Sequence, residues 1–179
     1  MKFTIQNCAG LGFAAAALGF AWPALAQSSF EFKARSGIVS DPFVVTNDSI
    51  CQFVDTDLAA GGRAIFSFTL TNAGTYALVF SVKAPNTESD SLYVDIDNEP
   101  RDPKTIWKIP VTSGFENRIV FWPENAAPGV VQSKQKNFTL TPGTHSIVVR
   151  GKAANVQIAG IILRRLPAAP TNLRTAKSP

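Results

Sequence analysis

The chain has 179 residues, 45% of them hydrophobic, with a net charge of +4 and two cysteines. That length suits one domain with a sizeable core. Residues 30–163 hold 12 basic and 13 acidic side chains, so the positive excess sits at the two ends and argues against a nucleic-acid surface. At the N-terminus, Lys2 precedes the apolar run "CAGLGFAAAALGFAW", too short for a typical membrane span. The run ends in Ala24-Leu25-Ala26, small residues at the positions a signal peptidase reads. Residues 1–26 therefore read as a secretory signal peptide cleaved before Gln27, which places the protein as secreted or periplasmic in a bacterial setting. Cys8 lies within the run without a lipobox, so no membrane anchor is expected. Cys51 is then the one cysteine of the mature chain, with no internal disulfide possible. It stands between apolar residues in "SICQFV" and reads as a small buried hydrophobe rather than a nucleophile.

From residue 30 to 163 the period is two. Phe30, Phe32 and Ala34 alternate with charged residues, and Ala64, Phe66, Phe68 and Leu70 with more polar ones. Tyr76, Leu78, Phe80 and Val82 share a face. Further strands are expected at "SLYVDID", "TIWKI", "NRIVFW", "KNFTL", "HSIVVR" and "NVQIAGIIL", with shorter ones at "PFVVT" and "ICQFV". Turn chemistry at Asn72-Ala73-Gly74, Pro128-Gly129 and Pro142-Gly143 separates them. The pattern predicts an all-β, antiparallel β-sandwich of about eight to ten strands over 30–163, in a domain spanning 27–166. Leu78, Phe80, Leu92, Val94, Ile147 and Val149 are expected in its core. In "SLYVDID", Leu92, Val94 and Ile96 face one way and Tyr93, Asp95 and Asp97 the other. The last segment, 167–179, has the Pro, Ala and basic composition of a linker.

The order of these pieces resembles a known family. Ala73, Gly74 and Tyr76 come first, then Ala84-Pro85 and Asp90-Ser91, then Trp107, then Leu140, Gly143 and His145. This is similar to the carbohydrate-binding modules of the family 6 and family 35 type, which are galactose-binding-like jelly rolls. The resemblance implies a non-catalytic module that binds a polysaccharide or glycan, often borne on a secreted glycoside hydrolase or lyase. The tail "PAAPTNLRTAKSP" also resembles the opening of a fibronectin type III module. The family opens with Glu-Ala-Glu, whose glutamates help hold a structural calcium. Lys33, Ala34 and Arg35 stand there instead, Arg150-Gly151-Lys152 replace a later acidic stretch, and Ala159 replaces an aspartate. Cations in place of carboxylates repel Ca²⁺, so no cofactor and no family-type calcium are expected. A weaker calcium site at Asp90, Asp95 or Asp97 stays open.

Sugar binding needs an aromatic platform and a few polar groups. Trp107, after a polar loop, and Trp122, at a strand end, are the first platform candidates, with Tyr93, Asp90 and Glu124 as secondary contacts. Core or rim packing is the competing reading for both tryptophans. Catalysis is not expected. Asp95 and Asp97 lie side by side, about 7 Å apart at Cα by strand rise, and cannot flank a glycosidic bond. His145, the one histidine, reads as a hydrogen-bonded structural residue. The alternatives are an adhesive or structural domain with protein partners, or a truncated accessory domain of a larger glycoside hydrolase or lyase. Ile38-Val39, Phe43-Val44-Val45 and Val130-Val131 are the apolar pairs and runs an adhesive surface would use. In a bacterial setting the sequons at Asn47 and Asn137 carry no meaning.

Overall fold

The structure is a computed structural model, and it describes residues 29–124 and 132–167. Residues 1–26 and the tail beyond Pro167, both expected to pack on nothing, lie outside the described residues, as do Val130 and Val131. The first half of the chain forms β1 (Ser29–Lys33), a short 3-10 turn (Ala34–Ser36), β2 (Ile38–Ser40), β3 (Val44–Thr46), β4 (Ser49–Cys51), β5 (Arg63–Leu70) and β6 (Gly74–Lys83). There follow β7 (Ser91–Ile96), β8 (Ile106–Lys108), β9 (Glu116–Ile119), β10 (Phe121–Glu124), β11 (Gln132–Gln135), β12 (Asn137–Leu140), β13 (Gly143–Gly151) and β14 (Gln157–Arg165). All pairings are antiparallel, as alternating half-buried segments require.

Two sheets carry the fold. The first runs β12-β6-β14-β4-β3, with β9 beside β6 and β1 beside β14. β12 pairs with residues 74–77 of β6 and β9 with residues 79–82, so the two short strands share one long neighbour. The second runs β2-β5-β13-β7-β8. The hairpin β10–β11 belongs to neither. The expected β-sandwich is therefore present, and Leu78, Phe80, Leu92, Val94, Ile147 and Val149 are fully buried in its core. Fourteen described strands replace the expected eight to ten because several segments are split. "NRIVFW" is one case. Its backbone leaves β6 at Val120, whose N–H still reaches Leu78 O, and then pairs with β11. Among the described residues no helix is long and apolar enough to cross a membrane.

Side-chain alternation places most of the core. Phe66, Phe68 and Leu70 of β5 point inward while Ser67 and Thr69 stay exposed. On β7 every residue is buried, including Tyr93 and Asp95 on the face away from the core. That face is roofed by two loops. Arg150 Nη2 donates to Leu58 O (2.7 Å) and Ala59 O (2.9 Å), which holds one loop down. Tyr93 Oη donates to Asp102 Oδ2 (3.0 Å), which holds the other.

Candidate functional site

The tertiary structure disperses the residues named from the sequence. Trp107 is corrected from platform to core: its ring is fully buried and packs on Phe80 with centroids 5.0 Å apart. β8 pairs it with Leu92 on the inward face, so no ring face is left for a ligand. Tyr93 is corrected as well. It lies under the two loops, and its hydroxyl pKa is pushed up to about 12, by burial first and then by the Asp102 carboxylate and the Asp57 charge. Trp122 is half-buried, edge-on to Phe138 at 5.8 Å, and Lys136 Nζ sits 4.2 Å from its ring centroid. Its ring is already occupied by a cation. Asp90 is buried, with Lys108 Nζ 3.3 Å from Oδ2. It lines a separate groove of about 460 Å³ between β8 and β10 whose other walls include Ile106, Val111 and Phe121. The Glu124 side chain lies outside the described residues. Trp107, Tyr93, Trp122 and Asp90 form no common site.

The two aspartates of β7 part company too. The chain turns out of the strand at Asp97, where φ is +61°. Asp97 Oδ1 accepts from Ser146 N (2.9 Å) and Oδ2 meets His145 Nδ1 (2.6 Å). Asp95 remains on the roofed face, where burial holds its carboxyl above the ordinary value despite the Ile96 N–H and the charges of Lys136 and Arg101. Asp90, Asp95 and Asp97 thus take separate partners. Among the described residues no group of three metal-ligating side chains converges. The family-type calcium position does not fit an ion either. Lys33 lies opposite Gly160, next to Ala159, and Arg35 is paired with Asp48 at 3.1 Å.

Sequence reasoning missed the exposed aromatic residues. Phe53 and Phe115 are 63% and 47% exposed, and both line one groove of about 440 Å³. Strand register explains the arrangement. Gln157 of β14 pairs with Cys51 of β4 on one side and with Lys83 of β6 on the other. Phe53 follows β4, and Phe115 precedes β9, whose first pair is Glu116 with Val82. The two rings therefore stand on either side of Gln157, on the outer face of the first sheet. Thr46, Ser49, Asn47 and Asp48 close the groove.

Hydrogen bonds fix the chain next to both rings. Gln52, fully buried beside Phe53, donates from Nε2 to Val54 O (2.8 Å) and Thr56 Oγ1 (2.9 Å) and accepts from Gly62 N (3.1 Å). Gly151 makes room for it, since a Cβ there would lie 1.6 Å from Oε1. Three residues before Phe115, Thr112 exchanges two bonds with Ala84: Thr112 N donates to Ala84 O and Ala84 N to Thr112 Oγ1, each at 2.9 Å. Ser113 N donates to Glu116 Oε1 at 3.0 Å. Chemically, the groove offers two apolar ring faces, two amides, hydroxyls and the Asp48 carboxylate. The signal that marks these phenylalanines in the sequence is weak: each is a lone aromatic residue at the point where the period of two ends, Phe115 directly after Ser113-Gly114.

No family model and no curated protein sequence matches the chain. Solved structures do match. A GH26-CBM35 β-(1,4)-mannanase of Podospora anserina aligns over 80% of this chain and 29% of its own, with a TM-score of 0.57 and 12% identity. A cycloisomaltooligosaccharide glucanotransferase of Paenibacillus sp., solved with cycloisomaltoheptaose, aligns over 75% of this chain and 18% of its own, with a TM-score of 0.51 and 17% identity. The chain shares the fold of a part of each of these two enzymes, the first of which is named for a family 35 carbohydrate-binding module. It spans less than a third of either enzyme. A family 35 carbohydrate-binding module from Clostridium thermocellum aligns over 76% of this chain and 97% of its own, with a TM-score of 0.48 and 12% identity. At such identities the likeness is one of fold.

Proposed function

We propose that the protein binds an extracellular carbohydrate, without chemically altering it, in the groove between Phe53 and Phe115. The observation that carries this reading is the pair of exposed rings on either side of Gln157. Aromatic faces stack on the C–H side of a pyranose while amides and hydroxyls bond its hydroxyl groups. Among the described residues lining the groove Asp48 is the one carboxylate, whereas hydrolysis by an acid pair needs two. This supports binding over catalysis. Secretion, with residues 1–26 as the leader, belongs to the same proposal and rests on the sequence.

The test is a glycan array followed by calorimetry on the protein, Phe53→Ala and Phe115→Ala. The array should include β-1,4-mannan and isomalto-oligosaccharides, because the two enzymes sharing the fold carry those names. A shallow site with two rings implies a dissociation constant between about micromolar and millimolar. Each alanine variant is expected to lose at least about tenfold in affinity, about 1.4 kcal/mol. Binding that survives both substitutions sinks the proposed site.

A further inference from the structure

We propose that this groove takes an internal stretch of an extended polysaccharide rather than a chain end, the polymer running on along the outer face of the first sheet. The inference rests on the carbohydrate reading above. A second groove, of about 420 Å³, is lined by Glu31, Lys33, Ser81, Ala159, Gly160 and Ile162. It shares Ala159 with the Phe53–Phe115 groove, so the two meet along β14.

Register shows why nothing rises between them. The first groove stands on the cross-strand row Lys83–Gln157–Cys51. The next outward-facing row is Asn117–Ser81–Gly160–Lys33. The pairing shifts between Ile158 and Gly160, so Ala159 is the extra residue of a bulge at the boundary. The sill between the grooves is thus built from Ala159, Gly160 and Ser81, among the smallest side chains available. A site for chain ends needs a wall against which the terminal ring stops, and small residues give no such wall here.

Spacing and polarity agree. Outward-facing rows along a strand are about 7 Å apart, on the scale of a single pyranose ring. A ring over Gln157 is then followed by one over Ser81 and Gly160. Lys33, at the end of the sill's own row, and Glu31, one row beyond, provide with their exposed side chains a donor and an acceptor for hydroxyl groups. The aromatic pair supplies the anchor, and the second groove adds contacts that only a longer ligand reaches.

The experiment is calorimetry on the full chain with manno-, cello-, xylo- and isomalto-oligosaccharides of two and six units. In the series that binds, the six-unit member is expected to bind at least about tenfold tighter than the two-unit member. Ser81→Ile, which fills the sill with a β-branched residue suited to a strand, should bring six-unit affinity down to within about threefold of two-unit affinity. Two-unit affinity, with only its second ring at the sill, should fall less than six-unit affinity. Lys33→Ala, an exposed change with little consequence for folding, should weaken the six-unit ligand by about threefold and the two-unit ligand less. Equal affinity for two and six units overturns the extended-chain inference and leaves the carbohydrate reading standing. So does a length dependence that both variants leave intact. Binding in none of the four series, or binding that Phe53→Ala does not weaken, overturns both.

Discussion

Trp107 shows how burial, not residue type, decides a role. It has the largest aromatic surface in the described core, and its neighbours Phe80 and Leu92 leave none of it to solvent. Trp107→Ala should therefore cost about 3–5 kcal/mol in urea unfolding. A cost below about 1 kcal/mol would mean that the ring is not in the core. His145 carries a second residue-scale prediction. Nδ1 faces the Asp97 carboxylate at 2.6 Å and Nε2 the Thr141 carbonyl at 2.8 Å. Both partners only accept, so the site favours a ring that donates from both nitrogens, the imidazolium. Burial opposes that charge, but the bonds to Asp97 and Thr141 and the Asp97 charge outweigh it and raise the pKa above 6.5. With the folded value above the unfolded one, the stabilisation is complete below about pH 6.5 and disappears as pH rises through the folded value. The melting-temperature gap between the wild type and His145→Gln should accordingly be widest near pH 6 and narrow towards pH 9. A gap that stays constant across that range would contradict the imidazolium assignment.

At the scale of elements, loops decide what strands expose. β7 alternates as its sequence predicts, yet its polar face is dry because the loop that includes Leu58 and Ala59 and the loop that includes Asp102 cover it. Local alternation cannot foresee a roof made by residues far along the chain. Gln52 and its loop behave similarly. Gln52→Ala removes at least three hydrogen bonds from a fully buried position. The expected loss is at least about 2 kcal/mol, with weaker glycan binding because Phe53 loses its support. Unchanged affinity in a destabilised Gln52→Ala protein would show that Phe53 needs no such support. The β12–β13 turn gives a cleaner backbone test. Gly143 adopts φ +137° with no atom within 4 Å of an added Cβ. Gly143→Ala should then cost about 1–3 kcal/mol through backbone strain alone. A neutral result in thermal unfolding would dismiss that strain.

Across the whole molecule, the two sheets meet over a core in which, among the described residues, no group of three metal-ligating side chains converges. Lys33 and Arg35 stand where the resemblance puts glutamates, and Arg35 is tied to Asp48 instead. A bound ion at about 100 times its dissociation constant would add about 2.7 kcal/mol, several degrees in melting temperature for a domain of this size. Neither calcium nor EDTA is expected to move the melting temperature or glycan affinity. A rise of several degrees with calcium would restore a metal to the fold.

What the sequence determined by itself is the architecture. The period of two, the turn chemistry and the order of motifs specify an antiparallel sandwich, because strand alternation and turns are local properties that burial then reads directly. Leu78, Phe80, Leu92, Val94, Ile147 and Val149 were legible as core for that reason. Which aromatic residues face water was not legible. Trp107 and Tyr93 carry the composition of a binding platform, but strand pairing and overlying loops bury them. Phe53 and Phe115 sit 62 positions apart in segments with no regular period, and only the register around Gln157 brings them to one groove. Exposure of a ring depends on residues distant in the chain, so tertiary structure alone decided the candidate site.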